Sequence, residues 1–301
     1  MTHVEALELD RLPRHLIVLG GGYVGLELSQ AFRRFGSDVT VIEHGPQLAS
    51  REDPDVGAAL KDLFVDEGIE VVLDSKVRRV EGHCGTRVRV YANDPRGDRA
   101  IEGTDLLVAT GRKANSDRIG LDKTGVQLDE RGYIKTNDRL ETTAESIWAM
   151  GDCAGSPQFT HVGLDDYNIV HANLSGGNRT NRNRLIPFCM FTDPELARVG
   201  KNEVEARRDG IEYRMAKLPM AEVLRTKTIS EPRGFMKALV AKDSDEILGF
   251  TAFGFEASEL MVAMQTAMLG HLPYTVLRDA ILTHPTMSEG LAQLLANVPP
   301  R

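Results

Sequence analysis

The stretch L-I-V-L-G-G-G-Y-V-G, residues 16–25, decides the fold of this chain. Its leading apolar residues predict a short buried strand, and the glycine run that follows predicts a tight turn into a helix. Gly20, Gly22 and Gly25 have the G-x-G-x-x-G spacing. In such a turn the first glycine allows the reversal, the second lets the backbone approach a pyrophosphate, and the third lets helix and strand pack closely. The stretch therefore predicts a Rossmann-type dinucleotide site.

The residues after this turn strengthen that interpretation. A helical pattern over Tyr23–Phe35 is followed by a strand, Asp38–Ile42, which ends at Glu43. An acid at this place can accept hydrogen bonds from an adenosine ribose, and it would repel a 2′-phosphate. The pattern therefore favours NAD(H) over NADP(H). The alternative is an ordinary βαβ turn with an exposed glutamate.

The chain up to residue 112 continues as a nucleotide-binding fold. A helix over residues 54–67 and a strand over 69–73 predict a parallel βαβαβ unit. Short alternating runs between residues 76 and 101 predict an antiparallel meander, and residues 105–110 a further buried strand. Residues 1–12 read as a lead-in with little structure of their own.

A second candidate site lies near residue 152. Residues 115–143 read as a loop, and S-I-W-A-M, residues 146–150, predicts a short strand closed by Gly151 and Asp152. A carboxylate at the carboxyl end of a strand lies where ligands bind in open α/β folds. The alternative is a turn-forming aspartate.

The last region, from about residue 185, mixes strands and helices as an α+β domain does. Its helix over residues 257–269 is apolar almost all round, which indicates deep core or a subunit interface. His284 and Glu289 follow in H-P-T-M-S-E, where Pro285 stops the preceding helix and the acid can hold the imidazole in one tautomer. A catalytic dyad is one interpretation of this pair, and a structural or exposed histidine is the other.

Composition excludes several classes of function. Among 301 residues, Lys plus Arg number 36 and Asp plus Glu 44, so the net charge of -8 argues against a nucleic-acid or anionic-membrane partner. The one basic cluster, residues 178–185, predicts a solvated loop. No stretch resembles a transmembrane span or a signal peptide, so a cytoplasmic protein is expected. Cys84, Cys153 and Cys189 lack disulfide or zinc spacing, and no metal site is predicted.

Six motifs together resemble the class I pyridine nucleotide-disulfide oxidoreductases, the family of dihydrolipoamide dehydrogenase, glutathione reductase and mercuric reductase. They are L-G-G-G-Y-V-G-L-E (residues 19–27), V-A-T-G-R (108–112), I-W-A-M-G-D (147–152), Q-F-T-H-V (158–162), F-T-D-P-E-L-A-R-V-G (191–200) and H-P-T-M-S-E-G-L (284–291). The resemblance implies an FAD-dependent oxidoreductase in which NADH reduces the flavin, and the flavin reduces a disulfide or a related acceptor.

The resemblance also implies roles for individual residues. Glu27 resembles the acid that pairs with a lysine beside the reactive flavin nitrogen, and Tyr23 resembles the aromatic residue over the nicotinamide pocket. His284 and Glu289 resemble the acid–base dyad that one subunit of a homodimer lends to the other. The last region would then be the dimerisation domain.

For the flavin, Asp152 resembles the family aspartate that binds the ribityl chain. Val24 and Gly111, inside two of the matched motifs, are carried over as cofactor-binding residues. Family members open with a flavin-binding βαβ unit and a redox-active C-x-x-x-x-C, and neither pattern occurs in this sequence. We therefore expect only half of an FAD site, in a chain that corresponds to the C-terminal two-thirds of a family member.

The predicted fold is α/β, with four parts. A lead-in (residues 1–12) is followed by a Rossmann-type NAD(H)-binding domain (13–112), a remnant of the FAD-binding domain (113–184) and a C-terminal α+β dimerisation domain (185–301). The alternative to an oxidoreductase is a catalytically incomplete NAD(H)-binding dimerisation module, or a remnant without activity.

Overall fold

A computed structural model describes every residue from Met1 to Arg301. The chain divides into two compact units. The first joins Met1–Thr110 to Pro187–Arg301, and the second is Gly111–Ile186. Each unit is described by itself.

A parallel sheet forms the centre of Met1–Thr110. The elements of this part are α1 (His3–Leu7), β1 (His15–Leu19), α2 (Tyr23–Phe35), β2 (Asp38–Ile42), α3 (Pro54–Asp66), β3 (Glu70–Val72), β4 (Lys76–His83), β5 (Arg87–Asp94), β6 (Gly97–Gly103) and β7 (Asp105–Val108). The parallel strand order is β3-β2-β1-β7. Leu16, Ile17 and Val18 of the central β1 are fully buried, as a strand covered on both faces requires. The βαβαβ prediction is confirmed, and the bounds of α2 and β2 match it to the residue.

The predicted meander is also confirmed. Strands β4, β5 and β6 form a separate antiparallel sheet in that order. Side chains of β5 alternate between buried and partly exposed, with Val88, Val90 and Ala92 inside. This alternation is typical of a sheet with one face covered and one face in water.

The first twelve residues are more ordered than the sequence suggested. They contain the helix α1, and the Met1 ammonium donates a hydrogen bond to the Leu106 carbonyl at 2.8 Å. Arg11 forms an ion pair of 2.6 Å with the buried carboxylate of Asp105. The prediction of a lead-in with little structure of its own is wrong, because these contacts are made to β7, far along the chain, and leave no local pattern.

The unit Gly111–Ile186 has little regular structure. Besides isolated β-bridges, it contains one α-helix and two short 3₁₀ turns: α4 (Thr160–Leu174), Leu121–Lys123 and Gly151–Ala154. The strand predicted over residues 146–150 is wrong, since Trp148 forms only a single bridge, with Glu141. Within this stretch Ala149 is buried in a small cluster with Val126 and Ile134, and Ile147 packs against that cluster. Met150 is 46% exposed.

The arginine-rich stretch, residues 178–185, is a solvated loop as predicted, with 51% of the Arg179 side chain and 72% of the Arg182 side chain exposed. Its arginines are nevertheless ion-paired, and Arg184 keeps only 15% of its side chain exposed. The ion pairs are Arg179 with Asp165, Arg182 with Asp138, and Arg184 with Asp165 and Asp166. The basic cluster is therefore neutralised within its own unit.

The remaining part, Pro187–Arg301, is built on a five-stranded antiparallel sheet. Its elements are β8 (Pro187–Met190), β9 (Glu195–Gly200), α5 (Glu203–Arg208), β10 (Tyr213–Pro219), α6 (Leu224–Thr228), β11 (Phe235–Ala241), β12 (Ile247–Gly254), α7 (Ala257–Leu269), α8 (Tyr274–Arg278) and α9 (Glu289–Ala296). The strand order is β10-β11-β12-β9-β8. The α+β prediction is confirmed, although β8, β9, α6 and α9 were not predicted.

Helix α7 has a buried side and an exposed side. It packs on β9 and β12 with Leu260 and Met264 inside, whereas Val262 and Leu269 on its other side are more than half exposed.

One hydrophobic core joins the parallel sheet and the five-stranded antiparallel sheet of the first unit. Met190, Leu196 and Phe253 of the five-stranded sheet belong to the same buried cluster as Leu16 of β1. None of the helices combines the length and the apolar character that crossing a bilayer requires.

Candidate functional site

The three glycines of the turn between β1 and α2 have different surroundings. Gly20 has φ +106°, and a Cβ there would lie 2.5 Å from the Ala109 carbonyl oxygen. A Cβ on Gly25 would lie 2.1 Å from the Gly20 carbonyl oxygen. At Gly22 a Cβ would meet nothing within 4 Å. Gly20 and Gly25 are thus required by the packing of the turn itself, while Gly22 leaves open space where another molecule can approach the backbone.

Helix α2 begins directly behind this open space. Gly22 is its N-cap residue, with extended backbone and no capping side chain. The first turn of a helix presents backbone amides and the positive end of the dipole, which together favour an anion such as a pyrophosphate. Val24 lies in this turn, as the sequence predicted.

The carboxylate of Glu43 is fixed at the edge of the same turn. Its Oε2 accepts a hydrogen bond from the Gly21 amide at 2.6 Å, and its Oε1 accepts one from the Gly45 amide at 2.8 Å. Both bonds are charge-assisted and hold the negative charge in one place. The structure therefore brings Glu43 to the glycine turn, where it is suited to a ribose diol.

Tyr23, the first residue of α2, is held by a buried acid. Its hydroxyl donates a hydrogen bond to Oε1 of Glu52 at 2.9 Å. Burial and the nearby Glu52 charge raise the pKa of the Tyr23 phenol well above its usual range. The phenol therefore stays neutral and acts as a donor.

Glu27 lies one helical turn after Tyr23, on the same side of α2. Its Oε1 accepts a hydrogen bond from the Phe191 amide at 2.7 Å. Burial raises the pKa of Glu27, and this amide bond opposes the rise. Nearby, burial and the charges of Glu195 and Glu27 raise the pKa of the Cys189 thiol to about 12, so this cysteine is not a thiolate at neutral pH.

The His284 and Glu289 side chains meet, as the spacing suggested. Nδ1 of His284 lies 2.8 Å from Oε2 of Glu289, with 64% of the histidine side chain exposed and 13% of the glutamate. Glu289 is the first residue of α9, where the helix dipole stabilises a carboxylate. The sequence pattern predicts a helix over residues 276–282 that Pro285 would stop, whereas α8 spans Tyr274–Arg278 and ends well before the proline. The arrangement can hold the imidazole in one tautomer and one orientation, with its other nitrogen directed away from Glu289.

In the unit Gly111–Ile186, Asp152 does not follow a strand. It lies in the 3₁₀ turn Gly151–Ala154, about half exposed, with Oδ2 3.4 Å from Nη1 of Arg112. The turn is pinned by the buried Asp166, whose Oδ2 accepts from the Gly151 amide at 2.8 Å. Gly111 has φ +138°, a conformation that favours glycine.

The structure thus groups the predicted site residues into three sets. The glycine turn, Tyr23, Glu27 and Glu43 surround the N-terminus of α2. His284 and Glu289 form a pair before and at the start of α9. Gly111 and Asp152 belong to the other unit.

Two charged residues beside Tyr23 were missed. Glu52 and Arg198 are each only 3% exposed, and their Oε2 and Nε atoms are 2.9 Å apart. The one available signal is that Arg198 interrupts the apolar pattern of β9, E-L-A-R-V-G. A charge in the middle of a buried strand indicates a buried partner, although it does not identify that partner.

Comparison with known protein families gives two matches that cover most of the chain. The family described as pyridine nucleotide-disulphide oxidoreductase matches residues 1–166. The dimerisation domain of pyridine nucleotide-disulphide oxidoreductases matches residues 186–295.

Individual relatives agree with these matches. The Escherichia coli K12 protein named "Probable pyridine nucleotide-disulfide oxidoreductase RclA" is 37% identical over 294 residues, which are 97% of this chain and 66% of the relative. Mercuric reductase of Streptomyces lividans is 34% identical, over 97% of this chain and 61% of the enzyme. A solved structure of the HOCl-induced flavoprotein disulfide reductase RclA from Escherichia coli superposes with a TM-score of 0.91 at 35% identity, over 99% of this chain and 68% of that one. This chain therefore spans less than two thirds of the length of both curated relatives.

Proposed function

The chain belongs to the pyridine nucleotide-disulfide oxidoreductase family, and on that premise we propose that it binds NAD(H) as part of an FAD-dependent oxidoreductase. Its family and its relatives are oxidoreductases, as the motifs predicted. The observation that carries the proposal is the open space at Gly22 in front of α2, where a side chain is absent and nothing else fills the gap. A pyrophosphate fits this space because the helix amides and dipole supply the charge complement.

In the proposed complex, the amides around Gly22 and Val24 hold the pyrophosphate. Glu43 accepts hydrogen bonds from the adenosine ribose, because its carboxylate is fixed by the Gly21 and Gly45 amides. The same fixed negative charge disfavours a 2′-phosphate, and NADH is therefore the preferred dinucleotide.

When bound, the nicotinamide supplies a hydride and the flavin accepts it. On the protein side, Tyr23 keeps its ring beside the turn through the bond to Glu52. Glu27 presents a partly buried carboxyl one turn further along α2. Glu289 orients His284 through Nδ1, so the other imidazole nitrogen is available for proton transfer. We propose that this nitrogen donates a proton to the thiolate that is released when the disulfide is reduced.

For the flavin we propose a half-site made by Gly111 and Asp152. The carboxylate of Asp152 is about half exposed in a tight turn, so its oxygens are accessible to a ribityl hydroxyl. We also propose a homodimer through the region matched by the dimerisation-domain family. Exposed apolar side chains on α7, Val262 and Leu269, are suited to such an interface.

The first experiment is a titration of the purified chain with NADH and NADPH, followed by the change in nicotinamide fluorescence. Wild type should bind NADH more tightly than NADPH. Gly22→Ala should fold normally, since its Cβ meets no protein atom, and should bind NADH at least about tenfold more weakly, which is ~1.4 kcal/mol. Failure of wild type to bind NADH, or equal NADH affinity in Gly22→Ala, would contradict the proposal.

A second measurement tests the flavin part. After incubation with excess FAD and gel filtration, a flavin absorbance band in the protein peak that NADH bleaches supports the oxidoreductase assignment. If the protein shows no flavin band but still binds NADH, it is a dinucleotide-binding module and not an oxidoreductase by itself.

A further inference from the structure

The side chain of Tyr23 is connected to the antiparallel-sheet part of its unit by a buried charge pair. Glu52, in the loop between β2 and α3, accepts the Tyr23 hydroxyl bond through Oε1 and faces Arg198 of β9 through Oε2. Both charged residues are 97% buried, since each is 3% exposed. The connection therefore joins the first residue of α2 to a strand of Pro187–Arg301.

Arg198 is itself held rigidly. Its Nη1 donates hydrogen bonds to Oε2 of Glu205 at 2.7 Å and to the Gly200 carbonyl at 3.1 Å. Its guanidinium lies 4.8 Å from the centre of the Phe188 ring. An arginine fixed by a carboxylate, a carbonyl and an aromatic face has little freedom to move.

The direction of dependence follows from burial. A carboxylate out of water needs a cation, because an uncompensated buried charge is strongly unfavourable. The Arg198 guanidinium opposes the rise that burial causes in the pKa of Glu52 and holds its carboxyl group in place, and Glu52 in turn holds the hydroxyl of Tyr23. Replacing Arg198 should loosen Glu52 and weaken its bond to the Tyr23 hydroxyl, without touching the glycine turn.

We propose that Glu52 and Arg198 are positioning residues that fix the Tyr23 side chain beside the glycine turn and thereby raise the affinity of this site for a nicotinamide dinucleotide. This inference rests on the proposed function, since it assumes that the site binds NADH. A side chain that is already ordered before binding does not have to be immobilised by the ligand, and affinity increases accordingly. The antiparallel-sheet part thus acts on the dinucleotide site through one arginine.

The test is a double-mutant cycle in NADH affinity with Arg198→Met and Tyr23→Phe. In the wild-type background, Arg198→Met should weaken NADH binding about three- to tenfold, the cost of ordering one loosened side chain. In the Tyr23→Phe background, which lacks the hydroxyl, the same substitution should change the affinity less than about twofold. Arg198→Lys, which keeps the charge, should recover most of the wild-type affinity.

Lys237→Met is the matched control. Lys237 is also a buried cation of the antiparallel sheet, and it binds Asp53, the neighbour of Glu52, at 2.7 Å. Its ion-pair partners are Asp53, Asp55 and Glu203, and Glu52 is not among them. It should lower the thermal midpoint as Arg198→Met does, yet leave NADH affinity within about twofold of wild type.

Two results would overturn the inference while leaving the proposed function intact. The first is an equal effect of Arg198→Met in both backgrounds, and the second is an equal loss of affinity in Lys237→Met. Should Arg198→Met fail to fold, Glu52→Gln takes its place in the cycle, because the amide keeps the size of the side chain but gives the tyrosine a weaker acceptor. Absence of NADH binding by wild type would instead reject the proposed function itself.

Discussion

The parallel-sheet region and the unit Gly111–Ile186 fold by different means. In the first, β1 is bonded on both sides by parallel neighbours, and its side chains enter a large shared core. In the second, turns are closed by side chains. Asp129, for example, accepts from the amides of Arg131 and Tyr133 through one oxygen. Regular periodicity predicts the first kind of structure well and the second kind poorly.

The difference extends to the core. The cluster around β1 and α2 contains many fully buried residues, among them Leu16, Leu26 and Phe64. The buried cluster containing Val126, Ile134 and Ala149 has only these three members. Local opening costs less free energy where few apolar contacts have to be broken, so the two regions should differ in stability.

The largest expected effect is on the stability of the parallel-sheet region. Gly25→Ala places a Cβ 2.1 Å from the Gly20 carbonyl oxygen, where backbone atoms cannot move apart without separating β1 from α2. We expect a loss of about 3 kcal/mol or more in the free energy of unfolding, measured by urea denaturation. Gly22→Ala is the control and should stay close to wild type. Similar stability in both variants would contradict the assigned roles of the two glycines.

A slightly smaller effect is expected when Asp166, which holds the turn Gly151–Ala154 of the other unit, is replaced. Asp166 is fully buried, accepts from Gly151, and pairs with Arg184 at 2.6 Å. Asp166→Asn should cost about 2 kcal/mol, since Arg184 loses a buried partner but keeps Asp165 at 3.1 Å. Hydrogen exchange of residues 151–155 should accelerate, while that of residues 15–73 stays unchanged. Asp165→Asn is the matched control, and an equal acceleration there would show that Asp166 has no special role.

The comparison itself can be measured in the wild-type protein. Amides of residues 114–155 should exchange with solvent at least about tenfold faster than the strand and helix amides of residues 15–73, a difference of ~1.4 kcal/mol or more in opening free energy. The reason is the small cluster and the isolated bridges of the first segment. Equal protection would mean that turns held by side-chain hydrogen bonds resist opening as well as a sheet does.

The smallest effect concerns a charge inside the ordered region. Burial raises the pKa of Glu27, so the folded state disfavours its carboxylate, and the penalty applies at pH values above that raised pKa. Glu27→Gln should therefore be more stable near neutral pH, by no more than about 0.5 kcal/mol because the side chain is partly exposed. As the pH falls through the raised pKa, the wild type takes up a proton and the advantage of the variant disappears. Thermal melts between pH 4 and 8 measure this, and a constant difference across the series would assign the effect to packing.

The sequence predicted which residues of the proposed dinucleotide site and of the His284–Glu289 pair lie together better than it predicted their surroundings. The glycine spacing, Glu43 at the end of β2 and the His284–Glu289 pair were all identified because each depends on residues within one or two adjacent elements. The strand predicted before Asp152 was wrong, because a short apolar run of four residues does not specify a strand partner. Which residues act in binding and catalysis remains a prediction until the variants are measured.

The sequence by itself determined the family, the α/β class, and the turn between β1 and α2, since only glycine fits where a Cβ would meet backbone within 2.5 Å. The tertiary structure alone decided which charged groups face each other. Glu52 meets Arg198, and Asp166 meets Arg184 and Gly151, across stretches of chain that share no local pattern. The physical reason is that secondary structure follows short-range periodicity, whereas a buried ion pair exists only after folding has removed both groups from water and brought them together.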